Sequence, residues 1–172
     1  MTRLAALALS VLAFVFLDVP AYALCVEIGK PIPEISLPSL GGEKVALSEF
    51  RGKIVLLAFW ASWCPRCDEE LTFLQGIHKT SPDIVVVAIN QESQNVSQTH
   101  LDRIKGTLQD WKIDFPVLID KNLDAWNALC ITALPTSIIL DKKGIVRFVE
   151  PNYYWASQDK LADVIQAIRL GK

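Results

Sequence analysis

The sequence predicts one α/β domain, with a central mixed β-sheet, helices on both faces and an extra strand or hairpin at its N-terminal side. Three observations carry this. Two continuous apolar runs, IVLLAFW at 54–60 and IVVVAI at 84–89, read as strands buried on both faces. Between them, Arg66 to Lys79 places Leu71, Leu74 and Ile77 at helical intervals. The chain then closes on a hairpin and a helix, and strands alternating with helices imply a sheet covered on both sides.

The elements follow in order. Gly29 to Pro38 holds three prolines in ten residues, which makes an extended lead-in. Gly41-Gly42 is a turn, Glu43 to Leu47 a short strand, and Ser48 a cap for a short turn before Gly52. After the strand Ile54–Trp60 comes the helix Arg66–Lys79, with Asp68, Glu69 and Glu70 in its first turn, where the helix dipole favours negative charge. Ser81-Pro82-Asp83 ends it, and Ile84–Ile89 is the next strand. Val96 to Trp111 is a surface helix with Leu101, Ile104 and Leu108 on one face. Phe115–Ile119 is a short strand containing Pro116, and Leu123–Leu129 a short helix. Thr136–Leu140 and Ile145–Val149 form a hairpin around Asp141-Lys142-Lys143-Gly144. Ala156–Leu170 is the final helix, with Leu161, Val164, Ile165 and Ile168 on one face.

Composition narrows the function classes. The chain has 172 residues, of which 51% are hydrophobic, and a net charge of -2. That balance gives no support for nucleic-acid binding, which favours a basic surface. The apolar excess is local: 18 of the first 23 residues are hydrophobic. Arg3, the apolar run Leu4–Leu17 and the small residues Ala21 and Ala23 form the three parts of a secretory signal peptide. The run is shorter than the ~20 residues of a spanning helix. Residues 1–23 are therefore read as an export signal and 24–172 as the domain, with an uncleaved membrane anchor as the alternative. Export, in bacteria to the periplasm, places the chain where disulfides persist.

The chemical motif is Cys64-Pro65-Arg66-Cys67, set between a buried strand and a helix with an acidic start. Free N–H groups at a helix start stabilise a thiolate and lower a cysteine pKa from about 8.5. Arg66 adds positive charge, and Pro65 suits a first helical turn. Cys67, one turn on, is close enough to pair with Cys64 and is expected to be the more buried. A static bridge or half of a zinc site is the alternative. Zinc needs four ligands as a rule, and Cys25, Cys130, His78 and His100 form no second paired motif. Asp68 stands where c-type haem attachment would need His. Neither a metal nor another cofactor is called for.

With these residues in place, the chain resembles the exported thiol–disulfide oxidoreductases of the TlpA/ResA-like branch of the thioredoxin-like family. The segments that carry the likeness are GKPIPEISLPSLGGEKVALSEFRGKIVLLAFWASWCPRCDEEL, VVVAIN, FPVLID and ALPTSIILDKKGIV, in the family's order. The resemblance implies a thioredoxin fold in which Pro135 is cis and lies across from Cys64. It implies a substrate-binding surface of Trp63, Pro65, Arg66, Leu134 and Pro135. It also implies catalytic roles for Cys64, Cys67 and Glu70, the last as proton acceptor or relay for Cys67. Thioredoxin itself has a buried Asp six residues before its first cysteine, where this chain has Ala58, so proton handling shifts toward Glu70. Thr72, Cys130 and Glu150-Pro151-Asn152 replace a family Pro and two family glycines. These departures leave substrate choice open.

Cys25 and Cys130, 105 positions apart, form either a structural disulfide or two unpaired thiols. Trp60 is expected in the core. Trp111, Trp126 and Trp155 read as packing residues, and Tyr153-Tyr154-Trp155 as a cap on the last helix or a partner surface. His78 and His100 read as surface residues. Asn95-Val96-Ser97 is a glycosylation sequon only in a eukaryotic secretory setting.

The function expected is reduction of protein disulfides outside the cytoplasm, for example in cytochrome c maturation or copper-site assembly. The partners would be a protein disulfide substrate and a membrane thiol electron donor. The alternatives are a disulfide oxidase or isomerase, and a copper-binding chaperone. Copper is not favoured, because Met1 is the only methionine and no histidine lies near the motif.

Overall fold

The computed structural model describes residues 25–92, 97–154 and 156–171. The export-signal reading of residues 1–23 lies outside the described residues. So do Asn95 and Val96 of the sequon and Trp155 of the aromatic cluster.

Among the described residues, seven strands and four α-helices follow the expected order. They are β1 Ser36–Pro38, β2 Lys44–Ala46, β3 Ile54–Trp60, α1 Cys67–Thr80, β4 Ile84–Asn90, α2 Gln98–Asp110, β5 Val117–Ile119, α3 Asp124–Ala128, β6 Thr136–Leu140, β7 Val146–Pro151 and α4 Ser157–Arg169. Five strands form one sheet in the order β5-β4-β3-β6-β7. The β3–β4 and β4–β5 pairs are parallel and the β3–β6 and β6–β7 pairs antiparallel, so the sheet is mixed. This is a thioredoxin fold, with β1–β2 as an added antiparallel hairpin.

Every residue of β3 is buried, because both sheet faces are covered. Successive side chains of a strand point to opposite faces. Ile54, Leu56, Ala58 and Trp60 join one apolar layer with Cys67, Leu71, Leu74, Ile104 and Leu161, which brings α1, α2 and α4 to that face. Val55, Leu57 and Phe59 join the other, with Ile35, Leu47, Ala125 and Leu129, under the N-terminal segment and α3.

Local departures from the expected boundaries have physical causes. Proline has no N–H to give a ladder, and Pro116 stays outside β5 while its carbonyl accepts from the Ala88 N–H at 3.0 Å. The edge strand β5 is covered by the hairpin, through the Leu40 N–H donating to the Val117 carbonyl at 2.9 Å. Ser48 is not a cap. It sits inside a 3-10 turn, Leu47–Phe50, and the Glu49 carboxylate accepts instead from the Ala46 N–H at 2.7 Å. Helix α3 is held by Asp120, whose carboxylate accepts from the backbone N–H groups of Ala125 and Trp126 at 3.2 and 2.9 Å. His100 completes a capping arrangement with Ser97 at the start of α2. His78 stands edge-on to Phe115 and 3.7 Å from Asp114.

The chain places Cys130 and Asn152 in the left-handed region, with φ of 51° and 55°. These are the two places where a glycine was noted as usual. Asn tolerates that conformation; for Cys it is a strained one. Cys130 is bonded to Cys25, S–S 2.09 Å, and the adjacent Val26 N–H reaches the Leu129 carbonyl at 3.5 Å. Replacing both Cys25 and Cys130 with serine is expected to lower unfolding free energy by up to about 4–5 kcal/mol, from the long loop the bond closes. Urea denaturation of the oxidised variant and parent measures this, and equal midpoints would mean that the bond adds no stability.

Candidate active site

The site lies where β3 ends and β6 begins. The register Phe59↔Thr136 sets Pro135 beside the end of β3, the end that runs on into Ala61–Cys64. The Leu134–Pro135 peptide is cis, and Leu134 packs against the layer that holds Cys64 and Cys67. Trp63 projects into solvent at 63% exposure, whereas Trp60 is fully buried. Pro65 and Arg66 are exposed. The structure thus brings the sequence-predicted residues Trp63, Cys64, Pro65, Arg66, Cys67, Leu134 and Pro135 to one end of the sheet.

Cys64 and Cys67 are joined, S–S 2.13 Å. A turn closes the motif, with the Cys67 N–H donating to the Cys64 carbonyl at 3.2 Å. The helix starts at Cys67 with Arg66 as its N-cap, one residue later than expected, so Pro65 lies in the turn rather than in the helix. Cys64 still precedes the positive helix end. The two cysteines are both buried but differ in access: Cys64 is 5% exposed and Cys67 0%. Cys64 is thus the more accessible of the two, while Cys67, the first residue of the helix, is sealed against the sheet.

Glu70 sits one helical turn beyond Cys67, on the same helix face, and is fully buried. Burial penalises its charged form and raises its pKa to about 8, against the opposing hydrogen bond from Ser137. That is close to a free thiol at about 8.5.

Three residues near the site were not singled out as functional in the sequence. Ser137 donates its hydroxyl to Glu70 Oε1. Tyr153 is buried rather than part of an exposed cluster, and its N–H donates to the Pro135 carbonyl at 3.3 Å, whereas Tyr154 stays exposed. Glu92, whose side chain is 2% exposed, accepts from the N–H of Ser62 at 3.0 Å and from its hydroxyl, and pairs with Arg103 at 3.2 Å. Glu92 thereby pins the segment that leads into Trp63-Cys64. Only the strand register and loop placement reveal these contacts. Among the described residues, no group of three or more His, Cys, Asp or Glu side chains is arranged to hold a metal ion. No described helix is long and apolar enough to cross a membrane.

Comparison with known proteins agrees with this geometry. Residues 28–149 match the AhpC/TSA family. The chain is 36% identical over 126 residues to the thioredoxin-like protein YneN of Bacillus subtilis (strain 168), covering 71% of this chain and 70% of that one. It is 30% identical over 122 residues to the thiol-disulfide oxidoreductase ResA of Bacillus thuringiensis subsp. konkukian (strain 97-27), covering 70% and 67%. Among solved structures, a secreted thiol-disulfide isomerase from Corynebacterium glutamicum superposes with a TM-score of 0.66 at 26% identity, covering 80% of this chain and 84% of that one.

Proposed function

Because the chain belongs to the AhpC/TSA family, and within it to the TlpA/ResA-like thiol–disulfide oxidoreductases, we propose that it reduces protein disulfides outside the cytoplasm. The observation that carries the reading is the unequal access of the two cysteines, with a buried carboxyl one turn behind the sealed one.

The geometry supports the following sequence of steps. In the dithiol enzyme, the Cys64 thiolate attacks one sulfur of a substrate disulfide. The other substrate sulfur leaves as a thiolate, and a mixed disulfide forms. Glu70 takes the proton of Cys67. The Cys67 sulfur attacks Cys64, the Cys64–substrate bond breaks, and the second substrate thiolate leaves. Two electrons have passed to the substrate, and the enzyme holds the Cys64–Cys67 disulfide. Trp63, Pro65, Arg66, Leu134 and Pro135 form the surface proposed to receive the substrate chain.

Export is supported by the signal pattern at residues 1–23 and by two disulfides in one small domain. In an oxidising compartment, a reductant must be recharged, and a membrane thiol donor is the proposed source. Cytochrome c maturation and copper-site assembly are the proposed settings, since both consume reduced cysteine pairs. The Cys25–Cys130 bond is proposed as structural.

The reduction potential of the Cys64–Cys67 couple tests the direction. A value near thioredoxin's, about -270 mV, is expected. A value near that of the strong oxidant DsbA, about -120 mV, would replace the reductant with an oxidase.

A further inference from the structure

Burial alone does not make Glu70 useful; its carboxyl must also be held with one oxygen free. The groups that hold it come from the sheet. Ala58 and Ser137 are directly opposed in the β3–β6 ladder. Ala58 and Ile139 belong to the apolar layer under α1, and strand alternation puts Ser137, two residues before Ile139, on that same face. Ala58 carries only a methyl group, so the sheet leaves room here for a side chain from the helix. Beside it, the Ser137 hydroxyl donates to Glu70 Oε1, while the buried Oε2 has no hydrogen-bond partner among the described residues. A carboxyl delivered by α1 thus lies over the β3 position where thioredoxin itself carries its acid.

We infer that Ser137 is the positioning residue for Glu70: its hydroxyl fixes Oε1 and leaves Oε2 as the atom that exchanges a proton with Cys67. The inference rests on the reading of Glu70 as proton acceptor. In the step it serves, the Cys67 S–H bond breaks and its proton passes to Oε2. The sulfur electron pair forms the bond to Cys64, and the substrate sulfur leaves with the electrons of the broken disulfide.

The titratable groups around this carboxyl are few. Cys67 and the exposed Glu69 share its helix. Tyr153, ahead of α4, is raised to about 12 by burial, with added repulsion from the charges of Glu70 and Glu69. Strand β3 contributes only the methyl of Ala58. Ser137 is therefore the neighbour whose hydrogen bond favours the charged form, and its removal should weaken that form.

The test is the titration of the Glu70 carboxyl by 13C NMR in the oxidised protein, for the parent, Ser137→Ala, and the near-isosteric pair Ser137→Thr and Ser137→Val. Loss of the hydroxyl in the Ala and Val variants is expected to move the midpoint up by about one pH unit. Ser137→Thr is expected to hold it at the parent value. An unmoved midpoint in Ser137→Val, or an equal shift in Ser137→Thr, overturns the proposal. The Thr/Val pair keeps the question open to measurement should Ser137→Ala not fold. In the Glu70→Gln background, Ser137→Val should leave the rate of the resolving step unchanged, since the hydroxyl acts through Glu70. A further slowing there overturns the assignment. A resolving rate indifferent to Glu70→Gln alone would remove the catalytic reading of Glu70. The role of Ser137 in the reaction would go with it, though not the hold on the carboxyl that the titration reports.

Discussion

Cys67→Ser is expected to leave the protein covalently joined to its substrate, with turnover abolished. Cys64 keeps its access to solvent in this variant and can still attack a substrate disulfide. No sulfur then remains within reach to displace the product, because Cys25 and Cys130 are joined to each other on another part of the fold. The mixed disulfide should accumulate and dissolve on adding reductant. Mass spectrometry of the captured complex reads the outcome and identifies the substrate. Cys64→Ser should form no such complex, because Cys67 is sealed between the helix start and the sheet. Equal capture by both variants would mean that the difference in access does not order the reaction, and the mechanism above would fail.

Glu70→Gln is expected to slow the resolving step by roughly a hundredfold, the lower end for a general base. The parent rate should rise as pH increases through about 8, where the buried carboxyl ionises and becomes able to accept a proton. The Gln variant lacks that carboxyl-dependent limb. Single-turnover release of substrate from the mixed disulfide, measured from pH 6 to pH 9, separates the two. A parent profile without the limb would mean that the carboxyl does not accept the proton.

The same group links stability to pH. Its folded pKa of about 8 lies above the ordinary value of 4.5. Below 4.5 it is protonated in both states and carries no penalty. Between 4.5 and 8 the unfolded chain releases the proton while the folded chain keeps it, so stability falls as pH rises and the loss is complete by about 8. The slope is at most about 1.4 kcal/mol per unit. Relative to the parent, Glu70→Gln should therefore gain stability steadily across this window and not below it. Urea midpoints at pH 4.5, 6 and 8 give the measurement. A parallel pH dependence of the two proteins would place the Glu70 pKa near its ordinary value.

Much of this was legible in the residue order. The apolar runs Ile54–Trp60 and Ile84–Ile89 could only be satisfied by burial on both faces, so they were strands of a covered sheet before any contact was known. The CPRC spacing after such a strand, followed by an acidic helix start, marked both the reactive cysteines and the end of the sheet they occupy. Glu70 was legible through the family resemblance, and its place three residues after Cys67 fits one helical turn.

Ser137 was not legible, because a lone serine in a buried strand carries no signal of its own. It acquires one only when the register sets it opposite Ala58. Tyr153 sat in an aromatic triplet that read as a cap or partner surface. Its burial beside Pro135 follows from β7 running on to Pro151 and from the left-handed turn at Asn152. The Cys25–Cys130 pairing was open because spacing leaves two cysteines free to bond or not; proximity in the fold closed the question. Glu92 belongs to no sequence motif, and its contact with Ser62, 30 positions away, comes only from the fold.

The sequence by itself determined the strands, the helices and the redox pair, because periodicity and short spacings are local properties that act within a few residues. Tertiary structure alone decided how far the pKa of Glu70 rises and which group holds its carboxyl. Burial and hydrogen bonding depend on side chains far apart in the chain, and only the closed sheet brings Ser137 within reach of Glu70 across 67 positions.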